Sequence, residues 1–527
     1  MTRTRRLLVA LAGAVLVSSL AMAPAGAARA PLHDHSVAPL APAGSTPALI
    51  EAAVARGEIS RATADRYLAE ALSNPSRLPS RFAGTVPWRG TLPLLQLQER
   101  AAARGTTVAR LAGTARRGSS DACGGYSGTQ PKKKVTDHFL IRYDPAAIKG
   151  GLTIRNYAHT LETSWKTEIT TFGWPQPPFK ANANGLFHVR IEHLGFSLYG
   201  FVTTNGTTAG LIGNNPNTAW PDHDAYASCM VLNQDYRGFP SVPLKSLQAT
   251  AAHEFNHGIQ FGEGALSPEG ETDLVFVEAG ATWMEDEVFD NANDNYFYLW
   301  PPLSRSMGVY GTDTEVYAYW VMLRAMTEQF GTGVAGGGED VMQEFWEETS
   351  RGSADNLTAL EGGLALKSEL LPDAFHAAAI SIRFAKPCGG GYVYPYCLEE
   401  GASYRAVAGT YHTDYSIASI GGSVSGSVRD DYAARFVSLP KTGGTYDISL
   451  TNDSAVGGQL RGSVVCDDGT ALTVDPLTMV AGPTQVGTLT GFDPTGCTSV
   501  VLVITNQHQH GSNPSSAAAR AFSVDTV

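Results

Sequence analysis

The pattern of apolar and polar positions changes character repeatedly along the chain, and each change predicts a different kind of element. After Arg3, Arg5 and Arg6, a largely apolar run from Leu7 to Ala23 dissolves into small residues. Between residues 48 and 75 apolar side chains recur at helical spacing with a break at Gly57. Ser60 stands where a helix N-cap belongs, so two short helices are predicted. Residues 101–134, AAARGTTVARLAGTARRGSSDACGGYSGTQPKKK, are polar and basic and read as a linker.

From residue 135 the texture turns to alternation. HFLIRY, FHVRIEHL and AYASCMVLN predict strands. Between the first two, Tyr157, Leu161, Trp165 and Ile169 fall at four-residue steps and mark the buried stripe of a helix. A long helix follows the last of them, and residues 313–386 are mostly helical. Beyond Cys388 short β-prone segments such as YAARFVSLP, LRGSVVCDDG and TSVVLVITNQ are separated by Gly, Asp and Pro, the pattern of a β-sandwich. The expected fold class is α+β, with segments at 1–30, 31–134, 135–386 and 387–527.

Composition narrows the function. A chain of 527 residues exceeds one compact core and suggests two or three units. A net charge of -12 and a pI near 5.6 argue against nucleic acid or an anionic membrane as partner, leaving protein, peptide or glycan substrates. The first 30 residues read as a secretory signal peptide, with Ala25-Gly26-Ala27 or Ala28-Arg29-Ala30 as candidate cleavage sites. The product is expected to be secreted and extracellular, with no membrane attachment after signal removal.

Six cysteines suit an oxidising compartment. Proximity pairs Cys388 with Cys397 and Cys466 with Cys497, leaving Cys123 for Cys229, although the count permits about fifteen pairings. None has the C-x-x-C spacing of a structural zinc site.

The candidate chemistry lies in TAAHEFNHGIQFGEG, residues 250–264. On a helix, residues four apart project from the same face, so His253 and His257 can reach one metal ion. Glu254 can reach the ion's open position and take a proton from water there. A catalytic site needs a third protein ligand. Glu278 follows His257 by 21 positions, after a Gly-, Ser- and Pro-containing loop able to reverse the chain.

HEFNH followed at this distance by EAGATW resembles the glutamate-zincin metallopeptidases, the clan of thermolysin and the large zinc aminopeptidases. More narrowly, HEFNHGIQ, EAGATWMEDEVFDNANDNYFYL and GEISRATADRYLAEALSNPSRLPSRF are similar to a family of secreted bacterial proteins assigned as metalloproteases, over residues 48–386. The resemblance implies a zincin-like catalytic domain at 135–386, a Zn2+ cofactor held by His253, His257 and Glu278, and Glu254 as general base. It implies a protein or peptide substrate. Four residues after Glu278, where thermolysin-like members have an aspartate that orients a ligand histidine, this chain has Thr282; Thr282 or Asp286 is the expected substitute. A transition-state donor is expected from Tyr317 or Tyr319.

The helical unit and linker at 31–134 resemble a propeptide, with an ordinary N-terminal subdomain as the alternative. Cleavage near Arg116-Arg117 would release it. Cys123 could then be a zinc-blocking thiolate rather than a disulfide partner. An aminopeptidase using the same site, and a non-catalytic zincin scaffold that binds a cell surface or matrix, are the competing functions. Endopeptidase is favoured over aminopeptidase because AYASCMVLN carries no glutamate to anchor a substrate amine. GTGVAG, residues 331–336, follows a helix rather than a strand and reads as a connector, not a dinucleotide loop. The histidine pairs near 33 and 508 read as solvated surface, and no G-x-S-x-G elbow is present.

Overall fold

Serine caps start the N-terminal helices. Ser45 Oγ accepts from the Ala48 amide at the head of α1 (Thr46–Ala55), and Ser60 Oγ accepts from Thr63 at the head of α2 (Arg61–Ser73). The computed structural model describes residues 44–111, 130–179, 185–195, 197–204, 210–222, 224–264, 274–307, 315–351, 355–452, 459–480, 484–509 and 519–527. The expected signal segment 1–30, the His33 pair, Arg116-Arg117 and Cys123 lie outside them.

Two further helices follow: α3 (Thr91–Ala103) ends inside the expected linker, and α4 (Val108–Leu111) lies within it. Leu94 and Leu97 of α3 turn toward a small core with α1 and α2, while Leu92 and Leu95 join the main core. That split follows from helical spacing, which puts two apolar stripes on one short element. The end of the expected linker, Lys132–Val135, is strand β1. All four of its residues are exposed, and a run of lysines on a sheet edge discourages pairing with other chains.

The central sheet has the order β1-β2-β3-β7-β4, formed by β2 (Phe139–Tyr143), β3 (Phe187–Glu192), β4 (Gly200–Thr203) and β7 (Cys229–Asn233). β2, β3 and β7 run parallel to one another, while the edge strands run antiparallel to their partners, β1 to β2 and β4 to β7. A separate ribbon pairs β5 (Leu211–Gly213) with β6 (Ala225–Tyr226). Helix α5 (Ile154–Trp165) continues into a π-turn at Lys166–Thr171. Tyr157, Leu161 and Trp165 are buried as their spacing predicts, with Ile169 packed against the same core.

α6 (Pro243–Gly262) and α7 (Leu274–Phe289) pack side by side. His253 on α6 contacts Glu285 on α7, and Gln260 contacts Val277, so the two helices run antiparallel. The helical half continues through α8 (Glu315–Ala318), α9 (Trp320–Thr327), α10 (Glu339–Ser350), α11 (Asn356–Ala365) and α12 (Leu371–Phe384). GTGVAG forms the turn before α10, with Gly331 at φ 108° and Gly333 at φ 63°, and is a connector as expected.

After α13 (Gly401–Ala408), the remaining strands are β8 (Tyr415–Ser416), β9 (Ser423–Arg429), β10 (Ala433–Ser438), β11 (Tyr446–Asn452), β12 (Leu460–Asp467), β13 (Leu472–Pro476), β14 (Thr478–Val480), β15 (Gln485–Phe492), β16 (Ser499–Asn506) and β17 (Ala519–Thr526). They form two five-stranded sheets, β13-β12-β16-β10-β8 and β14-β15-β11-β17-β9. Their facing side chains, among them Val464, Leu502, Ile448 and Val524, share one core. The other face of the first sheet meets the helical half: Val501 and Val503 belong to the main core, and His376 of α12 bonds Thr505 Oγ1 at 2.8 Å and Ser463 Oγ at 2.9 Å. Burial on both faces explains why SVVLVITN is a continuous apolar run. Disulfides join Cys388 to Cys397 and Cys466 to Cys497, as their proximity predicts, and Cys229 is also disulfide-bonded.

Candidate metal centre

Sixteen residues of α6, His253, Glu254 and His257 among them, are buried, and Glu278 on α7 is equally inaccessible. The antiparallel pairing of α6 and α7 brings three acceptor atoms together. Glu278 Oε2 lies 2.9 Å from His253 Nε2 and 3.4 Å from His257 Nε2, and the two Nε2 atoms are 3.0 Å apart. Atoms about 2.0–2.1 Å from a tetrahedral ion stand about 3.4 Å from one another, so this triangle has the size of a metal-ligand set. Among the described residues these three form the group of His, Cys, Asp or Glu side chains able to hold a metal ion.

The other ring nitrogens fix which atoms face inward. His253 Nδ1 sits 2.9 Å from Glu285 Oε1, and His257 Nδ1 sits 2.8 Å from Gln260 Oε1. Gln260 spends its amide hydrogens on Asn256 Oδ1 and the Val277 carbonyl, so its oxygen must face His257. Both Nδ1 atoms therefore donate, and both Nε2 lone pairs point at the carboxylate of Glu278. Three converging acceptors repel one another unless a cation lies between them. The donor set and its orientation fit a metal ion.

Behind this triangle a polar chain runs from Gln260 through Asn256 to the buried Glu168 of the π-turn, at 2.9 and 3.4 Å. The support for His253 differs from the expectation. Thr282 Oγ1 is buried without a hydrogen-bond partner, and Asp286 is engaged by Arg324 and by Asn295 Nδ2 at 3.1 Å. Glu285 takes the role because seven residues make nearly two full turns, returning it to the face of α7 that carries Glu278. That spacing, and the three-residue step from His257 to Gln260, were visible signals in the sequence.

Glu254 Oε2 accepts from Thr91 Oγ1 at 2.8 Å, while its Oε1 has no hydrogen-bond partner. Burial pushes the Glu254 carboxyl up to about 7, opposed by the charge of His257 and the Thr91 hydrogen bond. Without an ion between them, protons take its place: burial alone would raise Glu278, but the charge of a protonated His257 and hydrogen bonds from both histidines outweigh burial and hold the carboxyl below the usual range. His257 is raised despite burial, chiefly by the charge of Glu278. Burial, reinforced by the charge of Arg89, lowers His253.

The two candidate tyrosines separate. The Tyr317 ring centroid lies 6.3 Å from that of His253, and its buried hydroxyl has no hydrogen-bond partner. Tyr319 turns its hydroxyl toward the carbonyls of Pro302 and Ser306, each at 3.5 Å.

Two residues that the sequence reading did not single out reach the site from the N-terminal region. Besides touching Glu254, Thr91 Oγ1 accepts from the Val202 amide at 2.9 Å. The Arg89 guanidinium is fully buried, with Nη2 2.6 Å from Glu285 Oε1.

The chain matches none of the known protein-family profiles it was compared with, and a search of curated proteins finds no match.

Proposed function

We propose that the protein is a secreted zinc metallopeptidase of the zincin type that hydrolyses peptide bonds with Glu254 as general base. The observation that carries this reading is the meeting of two inward-facing imidazole lone pairs and a carboxylate oxygen, beside a second carboxylate with one oxygen free of hydrogen bonds. A set of two nitrogens and one oxygen suits zinc, and three ligands from the chain leave a coordination position open. A mixed five-stranded sheet beside two antiparallel site-bearing helices supports the zincin comparison.

His253, His257 and Glu278 would hold the ion, with Glu285 and Gln260 fixing the rings. When bound, zinc supplies Lewis acidity, making a water more acidic and polarising the scissile carbonyl. Glu254 takes the proton of the attacking water and hands it to the departing amine, a task suited to a carboxyl titrating at about 7. The Tyr317 hydroxyl donates to the oxygen on which charge develops. Disulfides support an oxidising compartment, and no helix among the described residues is long and apolar enough to cross a membrane.

The test is metal analysis of purified protein, followed by casein hydrolysis with and without a chelator and with Glu254→Gln. Chelation should abolish hydrolysis, and Glu254→Gln should lower it by about 10²–10⁴ with zinc content unchanged. Hydrolysis that survives Glu254→Gln rejects the mechanism. Complete burial of the site also fits a structural ion in a non-catalytic scaffold; under that reading zinc binds and no form of the protein hydrolyses peptides.

A further inference from the structure

We infer that residues Trp88–Thr91 lie in the substrate cleft as a tethered pseudosubstrate, and that the pocket holding Arg89 is a specificity pocket for an arginine side chain of the peptide to be cleaved. The inference rests on the peptidase reading above.

β4 is an edge strand, and this segment pairs with the stretch that leads into it, Ser197–Gly200. Trp88 N–H donates to the Ser197 carbonyl at 2.7 Å, Tyr199 N–H to the Trp88 carbonyl at 3.0 Å, and Gly90 N–H to the Gly200 carbonyl at 2.9 Å. An extended peptide joins a sheet edge in this way, with main-chain bonds giving affinity and side-chain pockets giving specificity. The segment ends on the base itself, where Thr91 occupies one oxygen of Glu254. His253, Glu254, His257 and Glu278 are all fully buried, and Thr91 is part of what covers Glu254. Trp88 anchors the segment in the small core shared with α1, α2 and α3.

The Arg89 pocket is built for a guanidinium. Its walls are the rings of Tyr199 and Tyr298, 4.9 and 5.9 Å from the Arg89 Cζ, and Glu285 supplies the ion pair. Asp294 adds a second buried carboxylate whose Oδ2 has no hydrogen-bond partner. Arg89 fills this pocket incompletely, since its Nε and Nη1 are buried without hydrogen-bond partners. A permanent buried arginine is expected to have its donors met. Glu285 also holds His253, so the pocket opens directly beside the candidate metal centre.

The test uses the full zinc-loaded chain and two variants that loosen the segment. Arg89→Ala empties the pocket. Gly90→Val keeps the arginine but places a Cβ 3.0 Å from Phe201 Cβ and 3.1 Å from the Gly200 carbonyl, a crowded contact that loosens the segment against β4. The probes are fluorescent peptides of residues 86–93, VPWRGTLP, and the same peptide with Arg89→Leu. Either variant should bind the arginine peptide at least about tenfold more tightly than the leucine peptide, and hydrolyse arginine-containing peptides at least about tenfold faster than the unaltered chain. Equal binding of the two peptides overturns the pocket. Lower hydrolysis in both variants, folded and zinc-loaded, overturns the pseudosubstrate and makes Arg89 and Thr91 permanent parts of the site. Arginine-selective binding without hydrolysis in any form leaves the pocket standing and defeats the peptidase reading.

Discussion

Glu285 Oε1 stands 2.9 Å from His253 Nδ1 and 2.6 Å from Arg89 Nη2, joining the ring orientation of a candidate ligand to a residue 164 positions before it in the chain. A carboxylate held this way raises the basicity of the imidazole and fixes its tautomer. Glu285→Ala should weaken metal binding by about 10–100-fold, measured by competition with a chromogenic chelator. Thr282→Val, at the position the resemblance pointed to, should leave affinity within about twofold, because its hydroxyl bonds nothing. The reverse ranking would place the support of His253 elsewhere.

Removing the metal should also destabilise the fold. Without a cation, the inward Nε2 atoms and Glu278 can be satisfied only by protons, at a buried point between two helices. An ion present at about 1,000 times its dissociation constant contributes about 4 kcal/mol. Calorimetry before and after chelation should show a lower Tm that zinc restores; an unchanged Tm after verified metal loss would contradict the site.

Tyr317 and Tyr319 should differ in turnover. Tyr317→Phe is expected to lower kcat by about 10²–10³ with little change in KM, the loss seen when an oxyanion donor is removed. Tyr319→Phe should leave kcat nearly unchanged, since its hydroxyl faces the carbonyls of Pro302 and Ser306. Equal effects would remove Tyr317 from the mechanism.

His376 sets an acid limit on the contact between α12 and the β-sandwich. Burial, and then the charge of Arg461, push its pKa down from 6.5 to about 3. The unfolded chain therefore binds a proton that the folded chain refuses between these values, and stability is lost as pH falls below 6.5. At about pH 5 the loss is about 2 kcal/mol. Denaturant titrations at pH 7.5 and 5 should show it, and His376→Gln should reduce the pH dependence by that amount. An identical pH dependence in the variant would exclude His376 as the source.

Local periodicity carried much of this structure. The Ser60 cap, the Tyr157 stripe and the His253–Glu254–His257 arrangement are set by helix geometry within a few residues, and a short loop is enough to bring Cys388 to Cys397. Even Glu278 was legible, because the antiparallel packing of adjacent helices returns it to the histidines. The spacing of Glu285 was visible, but nothing local chose it over Thr282 and Asp286, or set the ring of Tyr317 rather than Tyr319 beside His253. Each candidate is close in sequence to its rivals, and helix rotation in the packed core selects one of them. The arrival of Arg89 and Thr91 was hidden altogether, for it depends on which chain segment covers the edge of β4. Backbone geometry acts over one or two turns and is written in the order of residues, whereas sheet edges and helix faces find partners only when distant segments compete to bury them.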